Sequence, residues 1–373
     1  KYVQDYDPDI MYGYNLIGYD IPQILHRASF HGLRNYKKLL NRDGSNYGYT
    51  PPKDSKDLRM KAGGRIIFDV LRHTRRDYAL SGQGRGLKAV SRHFGLDPIE
   101  LDFGDKVLLD YPLSEIHDYV LSDVDCTKYL FENYYPQVEY TAELLGVPLE
   151  AYVNSPNSYV TKILQGRKLY EQGIITKDIN RDRHPEIYRE DKGNFQAAHI
   201  ELYEPGYHQN NFKIDFASFY PSVAMALNLG PDTTRIVGYE DYIDEIKFDG
   251  SFIYIPDNKI NKRVKIQIDT DRKSSLYEMS KQFKEMRAPY KALKTKEAKS
   301  KSNALKIMVN TFYGSNTNPY INYGDMSVGI TITAVSRFLL LSAIHLIREK
   351  YGQKSVVYCH TDGINTNVSV DEK

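Results

Sequence analysis

The chain has 373 residues, 41% of them hydrophobic and 26% charged, with a formal net charge of +2. That length suits two or more domains, each with its own core, and the balance is that of an ordinary globular protein whose overall charge names no partner. The two cysteines, Cys126 and Cys359, lie far apart in sequence, which argues against a disulfide framework and makes a reducing compartment the default.

No run of sequence reaches the ~18 apolar residues of a membrane span; the longest apolar-rich run, 338–347, is short and helical in period. The opening stretch lacks the charged-then-apolar order of a secretion signal. The chain opens and closes mid-pattern, as a piece of a longer protein would. Tyrosine is abundant, with 32 copies, and tryptophan is absent. Many tyrosines suit surfaces that stack on bases or sugars, and composition bias explains them equally well.

Residues 1–150 read as α/β. The segment 9–15 is a short strand entering a loop, and 21–33 has helical spacing with Pro22 at its start. "GGRIIFDVL" (63–71) is a buried strand. Residues 87–96 and 114–138 are helical, the latter opening on Ser114 as N-cap with an incomplete capping box, because His117 stands where an acid or amide belongs. A helix at 158–172 is followed by polar, turn-rich sequence to 210, a connecting region at 151–210 overall. Residues 212–216, "FKIDF", form a strand with an Asp near its end, and helical sequence follows at 218–228. Short strands alternate through 235–272. Residues 275–313 form a hairpin of helices, 328–351 another helix, and 356–368 a strand–turn–strand with Asp362-Gly363 as its tip, the strongest short hairpin signal. The stretch 291–306 holds six lysines and one glutamate, read first as a solvated helix face.

Three segments of the C-terminal half stand out: "DFASFYPS" (215–222), "KIMVNTFYG" (306–314) and "HTDG" (360–363). Singly each is weak, since an Asp ending a strand is more often a helix cap than a metal ligand. Their order and spacing together resemble the three polymerase motifs of family B DNA polymerases, D-x-x-S-L-Y-P, K-x-x-x-N-x-x-Y-G and Y-x-D-T-D-S/G. Asp215, Ser218, Tyr220 and Pro221 match the first, with Phe219 for the usual Leu. Lys306, Asn310, Tyr313 and Gly314 match the second. Tyr358, Thr361, Asp362 and Gly363 match the third, and His360 departs from the family's Asp. "RAPYK" (287–291) resembles the R-x-x-x-K of the family's fingers helix.

The resemblance implies nucleotidyl transfer assisted by two Mg²⁺ ions, with Mn²⁺ as a substitute, about 4 Å apart. Asp215 and Asp362 would be the catalytic carboxylates, facing each other across adjacent strands, and the Phe216 carbonyl would complete one ion's shell. Ser218 and Phe219 N–H groups would hold the dNTP triphosphate, neutralised by Arg287, Lys291 and Lys306. That makes part of the lysine run substrate-facing. Tyr220 would stack beneath the deoxyribose and exclude a 2′-hydroxyl, while Asn310, Tyr313 and Gly314 would underlie the nascent base pair, the glycine permitting close approach.

In the N-terminal half, "YNLIGYDIP" (14–22) and "YVLSD" (119–123) resemble the second and third motifs of the same family's 3′–5′ exonuclease. Asn15, Asp20, Tyr119 and Asp123 match, Asp20 and Asp123 as metal ligands and Tyr119 orienting the attacking water. The D-x-E of the first exonuclease motif is missing, and Asp125 reads as a nearby surface residue. "YEPGY" (203–207) resembles the family's template-contacting Y-x-G-G/A segment, with Pro205 for its first Gly, which leaves Tyr203 and Gly206 as DNA-binding candidates. The resemblance implies a thumb after the palm, which the sequence up to Lys373 is not expected to include.

The implied fold is α/β and α+β multidomain: an RNase H-like exonuclease domain at 1–150, an antiparallel palm at 211–274 and 314–373, and helical fingers at 275–313. The implied partners are primer–template DNA, dNTPs and replication accessory proteins, with no membrane, in the cytoplasm or nucleoid of a cell or of a virus's host. The close spacing of Tyr220 and Lys306 leaves little room for a large insertion. A catalytically inactive relative acting as a DNA-binding module is the alternative, favoured by His360; a nuclease alone fits poorly.

Overall fold

The structure, a computed structural model, describes residues 2–38, 40–45, 48–50, 59–156, 158–174, 187, 195–316, 321 and 323–368. Residues 175–186 and 188–194 of the turn-rich sequence expected up to 210 lie outside them. The chain divides into two compact units, Lys1–Ser155 with Thr295–Ala304, and Pro156–Lys294 with Leu305–Lys373.

The first unit runs α1 (Tyr2–Tyr6), β1 (Ile10–Gly13), one π-helical turn (Leu16–Asp20), α2 (Ile21–Phe30), β2 (Gly48–Thr50), β3 (Arg59–Lys61), β4 (Ile66–Asp69), α3 (Val70–Thr74), α4 (Leu87–His93), α5 (Leu113–Leu145) and α6 (Leu149–Val153). β1 and β4 pair in parallel, Ile10 opposite Ile66 through Gly13 opposite Asp69. The apolar β4 run is buried because helices cover it: Phe68 and Val70 pack with Val90 of α4 and with Leu130, Tyr134 and Val138 of α5. Those three α5 residues recur every four positions, the spacing of one helix face.

Two helix ends differ from the sequence reading. α2 stops at Phe30 because Gly32 takes φ +65°. The Leu33 N–H then reaches the Ala28 carbonyl at 3.0 Å, a Schellman closure that only a glycine adopts cheaply. α5 begins at Leu113 with Pro112 as its N-cap, so Ser114 lies inside the first turn and caps nothing. It continues past 138 to Leu145, where Gly146 at φ +57° ends it.

The second unit carries α7 (Ser158–Glu171), β5 (Ile200–Leu202), β6 (Phe212–Asp215), α8 (Phe219–Ala226), β7 (Thr234–Asp241), β8 (Lys247–Asp249), β9 (Phe252–Asp257), β10 (Lys262–Ile268), α9 (Ser275–Ala292), residues 305–316 of α10 (Lys296–Asn316), α11 (Met326–Tyr351), β11 (Val356–His360) and β12 (Gly363–Thr366). The strands form two antiparallel sheets, ordered β5-β11-β12-β6 and β7-β10-β9-β8. Ser274 starts α9 by accepting from the Tyr277 N–H at 3.0 Å, and Asp325 starts α11 by accepting from Ser327 at 2.8 Å.

α11 corrects one expectation. By length and composition alone it could cross a membrane, although no single run in the sequence looked long enough. It is instead a core helix, with 56% of its most apolar window buried in the protein. Leu340 and Ile344 pack beneath the first sheet against Val356, Cys359 and Ile364, which leaves the other face of that sheet open.

Candidate active site

The open face of the first sheet is built by register. His360 pairs with Gly363, and Gly363 with Asp215, so the three stand in one row on one face. The loop between β11 and β12 is Thr361-Asp362, with Thr361 at φ +58°. This shifts the expected Asp362-Gly363 tip by one residue. Gly363 does not serve a positive φ here; it opens β12. A Cβ there would sit 2.8 Å from Cε of Lys213 and 3.4 Å from Oδ1 of Asp215. A side chain at 363 would displace the end of the exposed Lys213 side chain, and Gly363→Val is expected to change stability by less than about 1 kcal/mol in denaturant unfolding, valine's liking for strands offsetting the shift.

Asp215 ends β6 with its side chain about half exposed, and Nζ of Lys213 lies 3.0 Å from its Oδ1. The Phe216 N–H donates to the Asp362 carbonyl at 2.9 Å, which fixes the Asp362 loop beside the end of β6. Burial, and then the negative charge of Asp215, push the Asp362 carboxyl above its usual range. The two carboxylates therefore share one electrostatic patch. His360 is exposed beside them, its Nδ1 3.1 Å from Oγ1 of Thr361.

Beyond Asp215 the chain turns sharply. Ser218, at φ +51° and ψ +47°, is the left-handed residue from which α8 starts, with no side chain capping the helix. The Phe216 and Phe219 rings stack at 4.4 Å, and Phe219 is buried. Tyr220 meets Tyr313 of α10 with ring centroids 4.6 Å apart. Burial, with Asp362 second, pushes the Tyr220 hydroxyl up to about 12, and burial also raises Tyr313.

α10 presents Lys306, Asn310 and Gly314 on its exposed face, with Tyr313 half-buried beside them, and Leu305, Met308, Val309 and Phe312 on its buried one. The spacing from 306 through 310 to 313 and 314 is one helix face, so the second motif is a surface stripe. An added Cβ at Gly314 meets nothing within 4 Å, so no packing among the described residues requires its smallness. Arg287 and Lys291 lie in the last turns of α9. That helix is tied to α8 by Nζ of Lys284 donating to Ser222 at 3.2 Å, and to α10 by the Phe283 and Phe312 rings at 6.1 Å.

Arg337 was missed in the sequence. It is buried at 9% exposure and donates to the Ala197 carbonyl at 2.7 Å and to Gln196. Its charge is felt at both Tyr220 and Tyr313. The available signal was a lone fixed charge in the apolar run 326–347.

Tyr203 sits against the sheet. Its N–H donates to the Val357 carbonyl at 2.9 Å, and its ring lies 4.0 Å from the Arg348 guanidinium. Gly206 takes φ +136° and an added Cβ would meet nothing within 4 Å.

In the first unit, Asp123 pairs with Lys88, whose Nζ also lies 4.3 Å from the Tyr119 ring centre. These three form one cluster. Asn15 is left-handed at φ +65° and opens the π-helical turn, while Asp20 closes it. Burial raises the Asp20 carboxyl. Among the described residues no hydrogen bond or ion pair joins Asp20 to Tyr119 or Asp123. The organising carboxylate is Asp69, unremarked in the sequence. It is 2% exposed and accepts from the N–H groups of Asn15 (3.1 Å), Ile17 (3.0 Å) and Leu71 (3.1 Å).

A family model described as "DNA polymerase family B" matches residues 155–372. The chain belongs to DNA polymerase family B. A second model, "DNA polymerase family B, exonuclease domain", matches residues 1–90, which include Asn15 and Asp20 and stop short of Tyr119 and Asp123. The chain is 25% identical to a DNA polymerase of Pyrococcus glycovorans over 99% of its own length and 46% of that protein's. It is also 25% identical to the DNA polymerase delta catalytic subunit of Drosophila melanogaster, covering 99% of the chain and 35% of that protein. The chain thus spans about half, or less, of the length of the curated relatives it matches. The solved family B DNA polymerase of Pyrobaculum calidifontis shares the fold, with a TM-score of 0.72 at 22% identity over 100% of this chain and 47% of that one. The multidomain α/β and α+β architecture expected from the motifs is thus the observed family B fold.

Proposed function

We propose that the protein of which this chain is part carries out template-directed DNA synthesis, adding deoxynucleotides from dNTPs to a primer 3′ end, with an associated 3′–5′ proofreading domain. The observation that carries this reading is the shared electrostatic patch of Asp215 and Asp362 on an open sheet face. Its donors are hard oxygens, the set that suits Mg²⁺ or Mn²⁺, and mutual repulsion between two carboxylates is what a divalent cation relieves. Asp215, Asp362 and the Phe216 carbonyl would hold the ions. When bound, they would polarise the α-phosphate and stabilise the attacking and leaving oxygens.

The remaining work falls to the chain's own groups. The uncapped start of α8, at Ser218 and Phe219, offers backbone N–H groups to the triphosphate. Arg287, Lys291 and Lys306 supply positive charge for it. Tyr220, with the Tyr313 ring 4.6 Å away, would stack on the sugar, and Asn310, Tyr313 and Gly314 would supply the surface beneath the new base pair. Tyr203 and Gly206 would contact template. In the first unit, Asn15, Asp20, Tyr119 and Asp123 would serve the exonuclease, with Lys88 leaving Asp123 when a cation binds. Replication accessory proteins are further partners, wherever in the cell or the virus's host the DNA is copied.

The test is primer extension by the full-length protein with Mg²⁺ or Mn²⁺. It should incorporate dNTPs and refuse rNTPs, and Tyr220→Val should admit rNTPs while dNTP incorporation persists. Absence of extension with either cation would leave the DNA-binding, catalytically inactive reading that His360 favours.

A further inference from the structure

Lys213 lies two residues before Asp215 on the same strand, so both side chains project from the same face. Its Nζ is 3.0 Å from Oδ1 of Asp215, and its positive charge partly opposes the rise of the Asp362 carboxyl. The lysine stem passes over Gly363, with Cε 2.8 Å from where any Cβ at 363 would stand. A side chain at 363 would push the ammonium away from the carboxylates. The register thus brings a fixed cation, the glycine that makes room for it and the acid it neutralises to one spot.

We propose that Lys213 is a resident counter-ion that competes with the divalent cation for Asp215. This rests on the cation-site reading given above. The pair is exposed, with Lys213 at 60% and Asp215 at 52%, so it is weak enough to be displaced. While it persists, it holds the Asp215 carboxylate on the sheet face and lowers the site's affinity for a free cation. The cation then binds best when it arrives with the negative charge of a nucleoside triphosphate, which offsets the displaced ammonium.

The experiment measures Mn²⁺ binding to the full-length protein by the EPR signal of free Mn²⁺, without DNA or nucleotide. Lys213→Gln should bind Mn²⁺ about three- to tenfold more tightly than the wild type. Lys213→Arg, which keeps the charge, should stay within about twofold of it. Unchanged or weaker binding by Lys213→Gln overturns the proposal, as does equal tightening in Lys213→Arg or the absence of Mn²⁺ binding in every variant. Primer extension by the wild type reports separately: extension with unchanged Lys213→Gln affinity removes the counter-ion and keeps the polymerase, whereas no extension removes the polymerase reading itself.

Discussion

Asp362→Asn is expected to lower nucleotide incorporation about a thousandfold or more and to leave the fold intact. The loss follows from the several kcal/mol that a correctly held divalent ion contributes to a phosphoryl transition state, each 1.4 kcal/mol being about tenfold in rate. An amide keeps the shape and loses the anionic ligand. Stability should move the other way. The Asp362 carboxyl is raised by burial and by Asp215, so its ionised form is disfavoured in the folded protein. A carboxyl with a raised folded pKa destabilises above that value and contributes nothing once both states are protonated. The variant should therefore melt at the same temperature or slightly higher near neutral pH, and that difference should vanish in acid. Single-turnover extension and thermal melting at two pH values check both halves. Retained extension would remove Asp362 from the chemistry.

Asp69→Ala is expected to destabilise the first unit by about 3–5 kcal/mol. Three backbone N–H groups, from Asn15, Ile17 and Leu71, lose their acceptor in a site that is 2% exposed. Each orphaned buried donor costs about 1–3 kcal/mol, with partial relaxation reducing the sum. The same carboxylate caps α3 and ties down the turn that carries Asn15, so local order should go with stability. Urea unfolding monitored together with proteolysis of the 14–22 segment would register both. Asp69→Asn, which retains an oxygen acceptor, should cost less than half as much. Equal loss in the two variants would mean that the side chain's volume matters and its hydrogen bonds do not.

The sequence was most informative where local patterns coincide with side-chain chemistry. The strand carrying Asp215, the helix that follows it and the helical hairpin carrying Lys306 and Asn310 all follow from period and from motif spacing. It was least informative where a residue's role depends on distant partners. Asp69 looks like any strand-ending acid until Asn15 and Ile17, more than fifty positions away, bring their N–H groups to it. Arg337 interrupts an apolar run without indicating that Gln196, Ala197 and the Tyr220–Tyr313 pair surround it. The tip of the final hairpin was misread by one residue for a related reason. An Asp-Gly pair satisfies a turn that needs φ > 0, but here Thr361 and Asp362 make the turn and Gly363 opens β12 beside the Lys213 side chain. Only the register separates the two placements. Ser114 lost its capping role because Pro112, with its fixed φ, already started the helix.

Gly363 and Lys213 occupy one volume from opposite strands. A side chain at 363 moves the Lys213 tip aside, and a shorter residue at 213 leaves that space to 363. For anyone redesigning this site the residue at 363 is therefore a handle on where the lysine ammonium stands relative to the two acids.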